Sequence, residues 1–326
     1  LEKATPVSFI VPTLRRPNFL RRCLGSIASQ TSPPTEVLVG IRADDELSRP
    51  VVEEFSAKLA VKAIEAKGVG VVGSMNSCLT EAVGEFVGFA DDDVELPPHW
   101  FERMVHHLLV NPKVLGTGGR DLLQDHPEMR RTEALKSDVG RLYWFGRATG
   151  NHHRGGGKPR EVDLLRGSNC LYRGDFLRSV GFDPDLRGQG AQVHWELALA
   201  LEARKRGKRL FYDPNVEVIH HVAPRLDSDQ IHRGRFSYDA TVDLAFNETF
   251  MILKHGSGLF RITGPIWQLL VGSPSCPGVA NLIRGVLKSK SIGWAKLQAT
   301  MNGRYRAWIA HKSLGICERS RIAHSK

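Results

Sequence analysis

Over its first 120 residues the chain alternates short apolar runs with segments of helical period. Val7 to Val11, Glu36 to Ile41, Val61 to Ala66 and Glu85 to Ala90 are apolar and of strand length. Between them, Pro17 to Ser29, Arg49 to Leu59, Gly73 to Val83 and Pro97 to Leu109 repeat their apolar positions every three to four residues, two of them behind a proline start. A strand, a helix and a second strand in that order need a crossover connection, and crossovers cover both faces of a parallel sheet with helices. The chain is therefore expected to open as an α/β, doubly wound half.

Beyond Gly119 the pattern loosens. Asp121 to Gly157 is polar, rich in His and Arg, and ends in RGGGK, which suits a mobile loop or lid. A strand is expected at Val162 to Leu165, then GSNCLYR, a short helix from Asp175 and a longer one from about Val193 to Arg206. Arg209 to Tyr212 and Val216 to Ile219 read as two further strands, and from Ala240 the period is helical with breaks.

The 326 residues, 41% hydrophobic and 25% charged, exclude a disordered chain and a small disulfide-stapled scaffold. The net charge of +10 is misleading as a sign of nucleic-acid binding. Residues 281 to 326 hold ten Lys or Arg against the single acid Glu318, and the other 280 carry 35 basic and 34 acidic side chains. No nucleic-acid partner is expected, whereas the basic tail suits peripheral contact with an anionic membrane. Five scattered cysteines without a CxxC pair, and no legible secretory signal, favour a cytoplasmic setting, with the inner membrane face within reach. Ile262 to Ile283 is uncharged and long enough to span a bilayer, yet Pro265, Pro274 and Pro277 argue for a buried or interface-lying segment.

In open α/β sheets ligands bind beyond the carboxyl ends of the strands. There stand Pro12-Thr13-Leu14-Arg15-Arg16, Arg42-Ala43-Asp44-Asp45 and, after the fourth strand, Asp91-Asp92-Asp93. Three adjacent carboxylates repel one another. A divalent cation relieves them, and hard oxygen ligands suit manganese or magnesium with a diphosphate. A rival signal is Gly68-Val-Gly70-Val-Val-Gly73, which fits GxGxxG and has Asp91 some twenty residues on. Alone it would mark a dinucleotide-binding oxidoreductase. It lies on the third strand rather than the first, and no hydride-transfer pattern follows, so turn and helix-packing roles are expected for these glycines.

The motifs VSFIVPTLRR at 7 to 16, EFVGFADDD at 85 to 93, RGSNCLYR at 166 to 173 and HWELALALEARKRGKRLFYDPNVEVIHH at 194 to 221 occur in one order. In them the chain resembles the family 2 glycosyltransferases, inverting enzymes of GT-A type fold. The resemblance implies a doubly wound mixed sheet over residues 1–239, with a nucleotide-binding half to about 120 and an acceptor half after it, and a helical basic extension over 240–326. It implies a metal-dependent hexosyltransferase of polysaccharide-biosynthesis type, moving a sugar from a nucleotide-diphosphate donor to a hydroxyl of a glycan or lipid-linked acceptor.

By that resemblance, Pro12, Thr13, Arg15 and either Asp44 or Asp45 hold the base and ribose. Asn76 belongs to the strand-three loop, where the family often has Ala-Arg-Asn and this chain has Ser74-Met75-Asn76; Arg42 is the substitute for the missing phosphate-facing arginine. Asp91 and Asp92 face the nucleotide, Asp93 takes the cation, and His220 adds a ligand from the last strand. Gly167, Ser168 and Asn169 form the floor under donor sugar or acceptor. The family's general base is an Asp just before the long helix. This chain has Val193-His194 there and Glu196 after it, so the base is His194 or Glu196. Two rivals stand beside this reading: the oxidoreductase on Gly68, Gly70 and Gly73, and a non-catalytic basic module that binds membrane or nucleic acid through the tail.

Overall fold

The structure, a computed structural model, describes residues 5–124, 134–226, 236–280 and 290–324. The first half follows the alternation: β1 (Val7–Pro12), α1 (Pro17–Ala28), β2 (Glu36–Ile41), α2 (Arg49–Phe55), β3 (Val61–Glu65), α3 (Gly70–Glu81) and β4 (Phe86–Phe89). Then come β5 (Val94–Glu95), α4 (Trp100–Val110), β6 (Val114–Leu123), β7 (Arg141–Leu142), β8 (Ala148–Thr149), a 3-10 turn (His152–Arg154), β9 (Arg160–Val162), β10 (Cys170–Arg173), α5 (Gly174–Val180), α6 (Trp195–Lys205) and β11 (Arg209–His220). The remainder is helical: α7 (Tyr238–His255), α8 (Phe260–Leu270) and α9 (Lys290–His324).

A nine-stranded mixed sheet runs in the order β3-β2-β1-β4-β10-β6-β11-β5, with β9 also on β11. β1 pairs in parallel with β2 and β4, whereas β10 is antiparallel to both its neighbours, β4 and β6. The expectation of a parallel sheet therefore holds for β3-β2-β1-β4, is interrupted by antiparallel β10, and resumes where β6 and β11 pair in parallel. Among the described residues, the two strands read at 209 to 219 are one, β11, with a break in register between Asp213 and Glu217 at the predicted gap. β10 is only four residues long, and β6 carries no clear strand signal because glycine interrupts it. Gly116 shows why: a Cβ there would come within 2.4 Å of the Tyr172 ring on β10, so the residue type that hides the strand is the one its packing requires. The stretch read as a loop or lid holds the end of β6, β7, β8 and the 3-10 turn; its residues 125–133 lie outside the described residues.

α1 buries Leu20, Cys23, Leu24 and Ile27, the i, i+3, i+4, i+7 stripe of a helix on a sheet. Phe9 on β1 meets Trp100 and Phe101 of α4 edge-on, at centroid distances of 5.3 and 4.9 Å. All three rings are within 2% of full burial, each stabilising the fold by about 2–3 kcal/mol. Trp100 donates its ring N–H to Asn169 Oδ1 at 2.7 Å, tying α4 to the loop before β10.

The described residues fall into two compact units. The first is built from segments within 1–141, 149–184 and 206–224 and contains the large sheet. The second comprises 142–148, 185–205 and 225–326. In it α7 packs against α6, α8 and α9, and Asn247 of α7 bonds Arg187 N, Arg187 O and Val193 O at 2.7, 2.9 and 3.2 Å.

His152 makes the first unit sensitive to acid. Its ring is buried, Nε2 lies 2.9 Å from Leu164 O, and Tyr212 donates to its carbonyl at 2.9 Å. Burial pushes its pKa down to about 4, outweighing the Leu164 hydrogen bond. The unfolded chain takes up this proton below about pH 6.5 and the folded chain only near pH 4, so stability falls as pH drops through that window. His152→Gln keeps a donor for Leu164 O without a titration. In urea unfolding at pH 7 and pH 5, the parent chain should lose about 2 kcal/mol more than the variant.

Candidate active site

The acid triplet follows β4 as a tight turn, closed by Val94 N to Asp91 O at 3.1 Å. That turn sends alternate side chains opposite ways. Asp92 points inward with no exposure, accepting Thr13 Oγ1 at 2.6 Å and Arg16 Nε at 3.1 Å, with a second Arg16 nitrogen at 2.6 Å. Asp91 is half-buried, and Asp93 (3% exposed) faces the end of β11. β5 pairs with that end, where Asp93 O accepts His221 N at 2.8 Å and Asp93 Oδ2 accepts Ala223 N at 3.0 Å. His220 thereby sits with Nε2 3.1 Å from Asp93 Oδ1.

Asp91, Asp93 and His220 each offer one donor atom, and these all lie within 4.8 Å of one another. Bonds of about 2.1 Å put opposite ligands of an octahedral cation about 4.2 Å apart, so the spacing fits with small rotations. Two carboxylates with one imidazole suit manganese or magnesium. Both ring nitrogens of His220 and Asp93 Oδ1 are buried without a well-directed hydrogen bond, and the Asp93 carboxylate at 3.1 Å is the near charge that faces the ring.

The electrostatics follow from burial and proximity. Burial pushes the Asp92 carboxyl up to about 7, against the downward pull of Arg16 and Thr13. Burial also disfavours a charged Asp93, but His220, Arg16 and the Ala223 N–H outweigh it and hold that carboxyl below the usual range. His220 is opposed by burial and raised on balance by its hydrogen bond to Asp93 and the surrounding aspartates. The cation that balances the cluster is Arg16, its guanidinium also 3.6 Å from Asp93 Oδ2.

Several expected nucleotide contacts have other partners. Asp92, expected to face the nucleotide, is turned inward, because a triplet in a tight turn cannot present three side chains to one side. Arg15 has left-handed backbone (φ 52°) and donates its backbone N–H to Asp45 Oδ2 at 2.6 Å. That geometry swings its guanidinium to the rim, where Arg15 and Arg42 both grip exposed Asp44, at 2.8 and 2.9 Å. Asp45 is fully buried and caps Leu47 N and Ser48 N, so of the two acids Asp44 is the one on the rim. Asn76 bonds Phe182 N and O at 3.0 and 2.8 Å, holding α3 to the segment after α5. Pro12 ends β1, and the next residue, Thr13, donates its N–H to Gly40 O at 3.1 Å.

Gly167, Ser168 and Asn169 are buried. Ser168 donates to Asp121, and Asn169 bonds Trp100 and the carbonyls of Arg120 and Val216. Their side chains brace the sheet from below. Sequence reading passed over Arg16, Asp121 and Arg166. Asp121 is fully buried on β6 and pairs with Arg166 Nε at 2.8 Å. The signal for Arg16 was present as the second residue of the Arg pair; Asp121 was hidden in a segment read as loop.

His194 and Glu196 belong to the second unit. His194 has φ +80°, a strained conformation for a residue with a Cβ, and accepts Leu197 N at 3.1 Å as α6 begins. Burial lowers its pKa, against the charge of Glu248, so the ring is neutral near pH 7. Glu196 is half-buried in the first turn of α6. The glycine fingerprint closes upon itself: Gly68 and Gly70 have positive φ, and a Cβ on Gly73 would lie 2.6 Å from the Gly68 carbonyl carbon. These are turn and packing residues of the β3–α3 connection.

In a sheet of this kind ligands bind beyond the carboxyl ends of the strands, where the acid triplet stands. The profile of glycosyl transferase family 2 matches residues 8–178, and the chain belongs to that family. It is 26% identical over 211 residues to validoxylamine A glucosyltransferase of Streptomyces hygroscopicus subsp. limoneus, covering 57% of this chain and 46% of that protein. It is 26% identical over 198 residues to glycosyltransferase AglE of Haloferax volcanii, covering 58% and 59%. The chain thus spans about half the length of these curated relatives. Among solved structures it is similar to S. aureus TarS 1-349 in complex with UDP-GlcNAc, with TM-score 0.62 and 16% identity over 93% of this chain and 81% of that one. It is also similar to the mannosyltransferase PcManGT of Pyrobaculum calidifontis in complex with GDP-Man and Mn2+, with TM-score 0.57 and 18% identity over 93% and 87%. The fold is the GT-A type, and residues 8–178 carry the glycosyl transferase family 2 domain.

Proposed function

We propose that this enzyme transfers a sugar, with inversion, from a nucleotide-diphosphate donor to a hydroxyl of a glycan or lipid-linked acceptor, using a divalent cation held by Asp91, Asp93 and His220. The convergence of those three donor atoms at the strand ends carries the reading. The likeness in fold to proteins solved with UDP-GlcNAc and with GDP-Man and Mn2+ supports it. The cation offsets charge on the departing diphosphate. Thr13 and the rim cluster of Arg15, Arg42 and Asp44 serve the base, ribose and phosphates.

In the transfer, the acceptor oxygen attacks the anomeric carbon, the bond to the diphosphate oxygen breaks with its electron pair, and the acceptor proton passes to a base. His194, neutral near pH 7, or Glu196 fills that role. The transferase domain is taken as residues 1–239, with 240–326 as an extension whose basic tail makes peripheral membrane contact. Calorimetric titration with UDP, GDP and TDP, each with and without manganese, tests the donor site. One nucleotide should bind, and only with the metal. Binding of NAD or NADP in its place would refute the reading.

A further inference from the structure

The second unit carries an exposed apolar surface on α8. Leu259, Ile262, Ile266, Leu269 and Leu270 run along α8 and are each 49–63% exposed, while Phe260, Gly264 and Gln268 are buried on its other side. At 3.6 residues per turn the five exposed residues fall within an arc of about 100°. The β7–β8 turn lies beside this stripe: Thr263 Oγ1 donates to Trp144 O at 2.6 Å, Phe145 contacts Trp267, and the Trp144 ring is 65% exposed. On α9, exposed Trp294, Tyr305, Trp308 and Ile309 also share one face, with Lys312 3.6 Å over the Trp308 ring. Arg261 on α8 reaches His311 on α9 at 2.9 Å.

A globular chain seldom leaves such a stripe uncovered. The charge of the sequence on either side of it points to the occupant. The sequence from Thr249 to Cys317 contains nine Lys or Arg and no Asp or Glu. A second copy of this chain would bring the same positive charge to the contact and be repelled, whereas an anionic lipid surface is attracted by it. Apolar side chains on one helix, with Trp, Tyr and Lys beside them, are the composition of an element lying in the plane of a bilayer interface. No helix among the described residues is long and apolar enough to cross a membrane.

We infer that α8 is an in-plane membrane anchor, seating Leu259, Ile262, Ile266, Leu269 and Leu270 in the headgroup region of an anionic bilayer, with Trp144 and the aromatic face of α9 alongside. The inference deepens the membrane contact assigned to the basic tail, and moves its apolar part from the tail to α8. Co-sedimentation of the full chain with vesicles of phosphatidylcholine alone, and of phosphatidylcholine with phosphatidylglycerol, tests both.

The parent chain should bind the anionic vesicles. Ile266→Asp with Leu269→Asp should weaken that binding at least about tenfold, with the thermal midpoint unchanged because both side chains are exposed. Ile262→Asp with Leu270→Asp is the second pair, should the first disturb folding. Lys296→Glu with Lys312→Glu should weaken binding and flatten its salt dependence. If the charge variant alone weakens binding, the tail reading stands and the α8 anchor is overturned. If the parent binds neither vesicle, both fail. A dimer in analytical ultracentrifugation that the α8 variants disperse, without vesicle binding, would assign the stripe to a second copy and overturn the anchor.

Discussion

Asp93→Asn should abolish cation-dependent donor binding and lower turnover by on the order of 10²–10³-fold, while leaving the fold intact. The asparagine occupies the same volume, and its carbonyl can still accept the Ala223 N–H that now bonds Asp93 at 3.0 Å. It cannot supply the negative charge or the second acceptor that face His220 and the cation. Calorimetry with manganese and the nucleotide that binds the parent chain, together with initial rates, reads the effect. Asp92→Asn is the internal contrast. Its carboxylate is consumed by Thr13 and Arg16, so the change should act on stability and leave cation-dependent binding in place. Loss of that binding in Asp92→Asn with retention in Asp93→Asn would reverse the assignment of inward and outward acids.

Arg16→Met should destabilise the protein by about 3–5 kcal/mol, the usual cost of removing one partner from a buried ion pair. Asp92 has no exposure, and its carboxyl, already pushed up to about 7, loses the guanidinium that favours its charged form and keeps the Thr13 hydroxyl as a donor. Arg15→Met, one residue away, removes a side chain 49% exposed at the rim and should cost less than about 1 kcal/mol. Urea unfolding at pH 7 separates the two. Adding Asp92→Asn to Arg16→Met should recover a large part of the loss, since the pair then ends without a stranded charge. Additive losses in the double variant would show that Arg16 acts through packing rather than through Asp92.

The contrast between adjacent arginines also marks where sequence reading ran out. The apolar runs placed β1, β2 and β4 within a residue or two, because a strand buried on both faces leaves an unbroken signature; β3, a largely exposed edge strand, was placed as closely. The same reading delivered the acid triplet to a sheet edge and His220 to the end of β11. It did not tell Arg15 from Arg16. That choice rests on one left-handed residue, φ 52° at Arg15, whose cause is the buried Asp45 carboxylate thirty positions away. It likewise set Asp92 among the nucleotide contacts and Ser168 and Asn169 beneath the sugar, where all three side chains serve internal hydrogen bonds. β6 stayed hidden because its Gly116 is explained by a cross-strand neighbour, Tyr172 of β10, and local pattern carries no information about that; β10 is too short to show a period.

The position of β10 bears on how the chain is made. β4 and β6 do not pair with each other; residues 170–173 lie between them and bond to both. Until that segment leaves the ribosome, β4 keeps an open edge of unpaired backbone groups, and β6 has no route into the sheet through β10. Such an edge is a template for pairing with other chains, and closing a gap of some eighty residues is slow. A nascent or truncated chain ending near residue 150 should therefore be prone to aggregation, whereas one ending beyond Arg173 should be far less so.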